Sequence, residues 1–517
     1  METGYQFMQY YSILFESAKT ELIENQNGFP ESFKDLNLDQ IVQEIVKDRE
    51  EYHLEAFFCH PLKELSAVNY RQEVMGDLEK PDLYRALVSF AYGMKKVREY
   101  TGFSRSLHHK AQREKWSLDA SFQYCNTLLQ LHNSLYSLSF TSKGLQLFSA
   151  WLTEYIHTCS FQTLLGETEE LEQEFEKIKY AVVVDRDTVT VNQDKDSLDY
   201  SAELTETFKD FYETTPDTPI TFFSDLEMCQ LETKILGIVE KINASSFQKL
   251  ESFAKKHAHY IHDTIERFDR EIQFYLSYLE YIAPLKGKGY PFSLPKFSPA
   301  KNMHVSGGYD LALAYKSLNT GETIVPNDFY LEGTERIFIL TGPNQGGKTT
   351  FARSFGQIFY LACLGCPVPC LSAELFLVDE VLTHFAREEN LCLNAGRLQE
   401  DLFRMKGIID HTTENSVVII NELFSSTTSL DAFAMGKRIL EYFLSLDCIV
   451  LYVTHIYELS DINQKTVSLS ASVDLSASKA DRTYKILRKP ADGCAYANSI
   501  AEKYHLTFEE IKERIRI

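Results

Sequence analysis

Residues 337–350 read IFILTGPNQGGKTT, an apolar run that breaks into glycines and closes on a lysine and two threonines. The segment matches the pattern GxxxxGK[ST] at every fixed position. Ile337 to Leu340 have the character of a buried strand, and the run from Thr349 to Leu364, stopped by Gly365, has that of the helix which follows. Between them Gly342, Gly346 and Gly347 let the backbone curl. With Pro343, Asn344 and Gln345 they form a loop whose N–H groups face an anion at the positive end of the helix. Lys348 is placed to reach the outer phosphates of a triphosphate and Thr349 to hold Mg²⁺, with Thr350 beside it. The expectation is an α/β domain that binds a nucleotide.

The 517 residues are enough for several domains with buried cores, and 44% hydrophobic content excludes general disorder. With neither a charged-then-apolar leader nor an apolar run near the length of a membrane span, the expectation is a soluble, cytoplasmic chain without a membrane partner. Ten cysteines in this length do not make a disulfide framework. Cys363, Cys366 and Cys370 straddle a helix end and a strand with no fourth ligand nearby in sequence, and read as core rather than zinc. A net charge of −22 argues against broad gripping of nucleic-acid phosphates, which needs many cations to displace counterions.

The rest of the chain reads as multidomain α plus α/β. Residues 1–115 form a helical core domain, with breaks at Asn25 to Pro30 and at His60-Pro61-Leu62. An outgoing helical arm over 116–179 ends in the acidic run Glu167 to Glu176, read as a solvated face. The texture changes to β at 180–224, where 181–184 (AVVV) and 188–191 (TVTV) flank Asp185-Arg186-Asp187 as a hairpin. Over 225–282 helix resumes as a returning arm. Leu250, Ala254, His257, Ile261, Ile265, Phe268, Ile272, Tyr275, Leu279 and Ile282 follow steps of four and three, a seam that needs a partner helix, and His257 on it reads as core. Residues 283–300 (APLKGKGYPFSLPKFSPA) read as a linker, and 301–517 as the nucleotide domain with a last helix opening at Thr507.

Two more strands carry chemistry. Val417 to Ile420 runs into Asn421-Glu422, and Ile449 to Val453 runs into Thr454-His455. A carboxylate at a strand end beside the phosphate loop is placed to orient water, which makes Glu422 the catalytic candidate, with His455 in reach of the outer phosphate. Asn421 is placed to hold a metal-bound water but brings no charge, so weaker Mg²⁺ binding or slower turnover is expected.

Together with Val325-Pro326-Asn327-Asp328, SSTTSLDA at 425–432 and THIYEL at 454–459, these segments resemble the MutS family of ABC-type ATPases. Upstream, Pro61-Leu62 and YRQEVMGDL at 70–78 resemble the family's helical core, and the arms with their inserted tip resemble its lever and clamp. The resemblance implies an ATPase using ATP and Mg²⁺, and a homodimer that sandwiches ATP and closes on DNA. It also implies departures. No room precedes Pro61 for the mismatch-recognition and connector domains, so a shortened form is expected, and Phe29-Pro30-Glu31 matches the family's Phe-x-Glu probe only formally. The signature serine segment falls on Gly396-Arg397-Leu398. Ile324 stands where the family holds adenine with an aromatic ring, so apolar packing on the base is expected from it rather than stacking.

The segment from Tyr180 to Phe222 carries ten acidic residues against Arg186, Lys195 and Lys209, a net charge of −7 that repels a phosphate backbone. Two functions therefore stand side by side. The first is an ATP-gated dimeric clamp in DNA repair or recombination, structure-specific rather than mismatch-reading; the alternative is an ATP-driven dimeric switch acting on a protein partner through the acidic tip.

Overall fold

The computed structural model describes residues 10–17, 29–185, 188–193, 228–386, 396–474, 481–491 and 506–515. They fall into two compact units. One comprises Met1–Tyr10, Lys80–Phe140 and Gln146–Asp269, the other Tyr11–Glu79, Thr141–Leu145 and Arg270–Ile517. In chain order, the helices used below are α1 (Glu31–Leu36), α2 (Pro81–Ser106), α3 (Lys110–Ser137), α4 (Cys159–Glu176), α5 (Ala244–Lys256), α6 (Asp263–Gly287), α7 (Leu311–Thr320), α8 (Lys348–Cys363), α9 (Arg397–His411), α10 (Ser429–Leu446) and α11 (Phe508–Ile515).

In the first unit, α2 opens on Pro81, whose fixed φ suits a first helical turn, and packs beside α3. Gly93 permits that approach, since a Cβ there would lie 2.4 Å from Thr127 Oγ1. A Thr158 side chain caps α4 by accepting from Phe161 N at 3.3 Å. The returning arm rests on α3 and α4 through α5. Its seam is interrupted: α5 ends at Lys256 and helix restarts at Asp263, because His262 Nδ1 accepts from Thr264 N while its ring packs on Trp151 and Tyr155. His257 is partly buried and lies 2.8 Å from Glu167 Oε2, at the polar edge of the seam rather than inside it. Other acids of the run expected to be solvated are also paired, Glu172 with Lys115 and Glu174 with Lys249. Strands β1 (Tyr180–Asp185) and β2 (Thr188–Gln193) form the antiparallel hairpin expected there, with Val182 opposite Val191.

The second unit is built on a six-stranded sheet in the order β12-β11-β6-β10-β9-β8. Its strands are β6 (Ile337–Thr341), β8 (Val381–Phe385), β9 (Val417–Asn421), β10 (Ile449–Val453), β11 (Thr466–Asp474) and β12 (Asp481–Arg488). All pairs are parallel except β11 with β12. Every residue of β6, β9 and β10 is buried, as expected of parallel strands covered on both faces, which is why they read as unbroken apolar runs. A smaller sheet of β3 (Lys296–Phe297), β4 (Met303–Gly308), β5 (Asn327–Leu331) and β7 (Ser372–Leu375) lies in the same unit.

One stretch differs in character from its sequence reading. The 283–300 segment is bonded into the second unit: α6 continues through Pro284, Ser293 and Val368 exchange backbone hydrogen bonds of 2.8 and 3.1 Å, and β3 pairs with β7. Phe29 stacks on Phe33, which is itself buried against Tyr360 of α8. Cys363, Cys366 and Cys370 are buried, and burial pushes their thiols up, Cys363 to about 12 and Cys370 to about 11. The last helix begins after Thr507, whose carbonyl accepts from Ile511 N. No helix among the described residues is long and apolar enough to cross a membrane.

Candidate functional site

The phosphate-type loop leaves β6 at Thr341 and enters α8 at Lys348. Gly342 has φ 125° and Gly347 φ 90°, a region where side chains are strained. A Cβ on Gly342 would also stand 2.8 Å from that of Ala471 on β11, so this position excludes any other residue twice over. Gln345 holds φ 59° between them, and Gly346 N donates to Pro343 O at 3.2 Å. The curl expected from the glycines is therefore present.

Lys348 Nζ donates to Gly342 O at 3.0 Å and Pro343 O at 3.1 Å, and the residue is buried. Burial pushes its ammonium down from the usual lysine value, opposed by the charge of Glu422. Among the described residues it has no carboxylate within salt-bridge distance. Beside it opens a cavity of about 540 Å³, lined on the loop side by Asn344, Gln345, Gly347, Lys348, Thr349 and Thr350. Gly342, Pro343 and Gly346 shape the loop without lining the cavity. The opposite wall includes Ile324, and Glu422 reaches the cavity from the sheet.

The sheet order puts β6 beside β10 and β10 beside β9, so three strand ends expected to carry chemistry converge at one carboxyl edge. Asn421 ends β9, is buried, and its Oδ1 has no hydrogen-bond partner. Glu422 follows at φ 58°, held by its N–H to Val453 O at 3.0 Å. His455 Nε2 lies 3.2 Å from Glu422 Oε1. That hydrogen bond holds the Glu422 carboxyl below the usual carboxylate range; burial opposes it, and the charges of His455, Lys348 and Arg397 assist. Gly396 caps α9 in extended conformation, Arg397 is its first residue, and Leu398 packs against the core cluster that includes Leu423 and Phe424. No group of three or more His, Cys, Asp or Glu among the described residues is arranged to hold a metal ion.

Several residues that line the cavity had no site role in the sequence reading, Tyr484 and Asn327 among them. Asn327 sits in a segment already singled out, but nothing in the pattern of 481–488 marks Tyr484, whose position depends on how two strands pair.

Residues 338–506 match the family model for MutS domain V. The chain is also 27% identical over 212 residues to a DNA mismatch repair protein MutS of Geobacillus sp. (strain WCH70), covering 40% of this chain and 24% of that protein. It is 27% identical over 296 residues to the same-named protein of Staphylococcus epidermidis, covering 56% and 33%. Over these stretches the chain is similar to MutS proteins. The DNA mismatch repair protein MSH2 of Saccharomyces cerevisiae is 32% identical over 145 residues, 28% of this chain and 15% of its own length. The chain thus spans a third or less of each of these curated relatives.

Proposed function

We propose that the chain binds ATP with Mg²⁺ at the 342–350 loop, hydrolyses it, and works as an ATP-gated dimer on DNA repair or recombination structures. The observation that carries this reading is that Lys348 and Glu422 line one cavity at the carboxyl edge of adjacent parallel strands, with Asn421 next to Glu422 in the chain and His455 hydrogen-bonded to it. The residues fit the groups. A buried ammonium bonded only to carbonyls is completed by a phosphate, and the unpartnered Asn421 Oδ1 is an acceptor for a cation or its bound water. Bound Mg²⁺ would neutralise charge on the phosphate oxygens. Thr349 and Asn421 would hold it.

In this reading the loop N–H groups and Lys348 fix the phosphates, Glu422 accepts a hydrogen bond from the attacking water, and His455 keeps that carboxylate ionised and aimed. The positive φ at Glu422 is strain held by the Val453 carbonyl. The names of the relatives, and the ATP-dependent clamp their resemblance implies, are the basis for DNA as the partner. The protein-partner alternative is favoured by the net charge of −22 and its concentration between Tyr180 and Phe222.

Nucleotide titration tests the site. Lys348→Ala is expected to lose at least about tenfold in ATP affinity, since phosphate charge is then uncompensated. Glu422→Gln is expected to keep binding, to lose at least about a hundredfold in hydrolysis rate, and to elute as a dimer in ATP. Equal affinity in the lysine variant would remove the site.

A further inference from the structure

Beneath α9 lies a buried polar pair that does not line the nucleotide cavity. His384 of β8 is fully buried, and neither of its ring nitrogens makes a hydrogen bond among the described residues. Its Nε2 lies 3.3 Å from Oδ1 of Asp401 on α9, which is buried as well. In register, His384 stands beside Ile420 and Ile420 beside Tyr452, so the three share the sheet face that Met405 and Ile408 of α9 help to cover. That surrounding is apolar apart from the Tyr452 hydroxyl, which is itself unpartnered. Apolar side chains of similar size would pack there without the desolvation cost that this pair carries.

Other contacts bind the same stretch of α9 to its neighbours. Arg404 Nη1 donates to Phe385 O at 2.9 Å and its Nη2 to Asp35 Oδ2 at 3.4 Å, an oxygen that also accepts from Thr383 Oγ1 at 2.8 Å. Asp401 follows Arg397 by four residues, so the two lie on one side of α9, a turn apart. Leu398, next to Arg397, packs against the core cluster that contains Leu423 and Phe424, the two residues after Glu422. Arg397 is exposed, and its charge favours the ionised Glu422, after the His455 hydrogen bond and the charge of Lys348.

Resting on the ATP-hydrolysis reading above, we propose that Arg397 acts within its own subunit as a positioning residue for Glu422, and that the buried His384–Asp401 pair seats the first turn of α9 for it. A buried charged pair is met at one rotation and one height of the helix, whereas apolar side chains tolerate several. The guanidinium so fixed adds a charge beside Glu422 to that of His455 and restricts the directions its carboxylate takes.

Steady-state ATPase kinetics and calorimetric ATP titration on the full chain test this. Arg397→Ala, at an exposed position, and Asp401→Asn or His384→Gln, which uncouple the pair, should each lower kcat roughly 10- to 100-fold while KM and ATP affinity stay within about twofold. Arg397→Lys keeps the charge and should recover most of the rate. The double variant Asp401→Asn with Arg397→Ala should be no slower than Arg397→Ala alone, as expected when one residue acts through the other. Mixing Arg397→Ala subunits with Glu422→Gln subunits should restore no hydrolysis, because every subunit then lacks one member of its own pair. Hydrolysis recovered on mixing would place Arg397 at the partner's site and overturn the proposal. So would an unchanged kcat in Arg397→Ala, a loss of affinity that parallels the loss of rate, or losses that multiply in the double variant. An unmodified protein that binds ATP without hydrolysing it overturns the proposal and leaves the phosphate site standing; one that takes up no ATP overturns the site as well.

Discussion

Glu422 shows how much one residue's chemistry depends on neighbours remote in sequence. The strand reading places a carboxylate at the end of β9, but its hydrogen bond to His455 and the field of Lys348 come from β10 and α8. A carboxyl with a folded pKa below its unfolded value, about 4.3, contributes stability that is present above that value and lost as pH falls through the folded one. The unfolding midpoint of Glu422→Gln should therefore lie below that of the unmodified protein at pH 7, and the gap should close as pH drops below about 4. The two side chains are 33% and 48% exposed, so solvent screening limits the gap to under about 1 kcal/mol. Thermal unfolding followed from pH 7 to pH 3 checks this. A gap that does not change with pH would show that the carboxylate gains nothing from His455. Lys348, Glu422 and His455 were legible because each stands in or beside a short local pattern. Tyr484 was not, because its place on the cavity wall arises from a pairing irregularity between strands.

The phosphate-loop helix owes its placement to elements on both sides of it. Gly356 of α8 faces α1, where an added Cβ would stand 2.5 Å from Leu36 Cδ2 and 2.8 Å from Ile419 Cδ1. Buried Gln357 ties the same faces by donating to Leu36 O at 2.8 Å and to Asp310 Oδ1 at 2.9 Å and accepting from Leu311 N at the start of α7. Arg71, fully buried, donates to Leu364 O at the far end of α8. Gly356→Ala should lower stability by about 1–3 kcal/mol through overpacking, despite the better helix propensity of alanine. Denaturant unfolding measures it, and a neutral or stabilising result would mean that α1 yields. At this scale the strands were plain from their apolar runs. The break in the returning arm at 257–262 was not, since the heptad spacing continues across it, while His262 accepts from Thr264 N and packs its ring on Trp151 and Tyr155.

For the whole molecule the decisive property is charge. Asp194, Asp196 and Asp199 lie outside the described residues, and the acidity of the 180–224 segment is read from sequence. If the arms close on DNA, reversing these three to Lys should strengthen duplex binding and steepen its logarithmic salt dependence by up to about 3 units, because each added cation displaces counterions. If the segment docks a basic protein surface, the same reversal should abolish partner capture while nucleotide hydrolysis continues. Fluorescence anisotropy at several salt concentrations separates the two. Tight, ATP-independent duplex binding by the unmodified protein at physiological salt would sink the reading of the segment as repulsive.

What the sequence determined by itself is the chemistry held in contiguous residues: the glycine loop with its lysine, the strand ends at Asn421-Glu422 and Thr454-His455, the hairpin, and the excess of acid. These are legible because backbone curl, strand burial and charge are properties of neighbours along the chain. The tertiary structure alone decided that β10 lies between β6 and β9 and so brings His455 onto Glu422 at the edge of the cavity. It also decided that α1 braces α8, and that a bulge set by Asn327 turns Tyr484 toward the loop. Each of these joins residues scores to hundreds of positions apart through packing and strand register, and no local pattern encodes which partner a buried face will find.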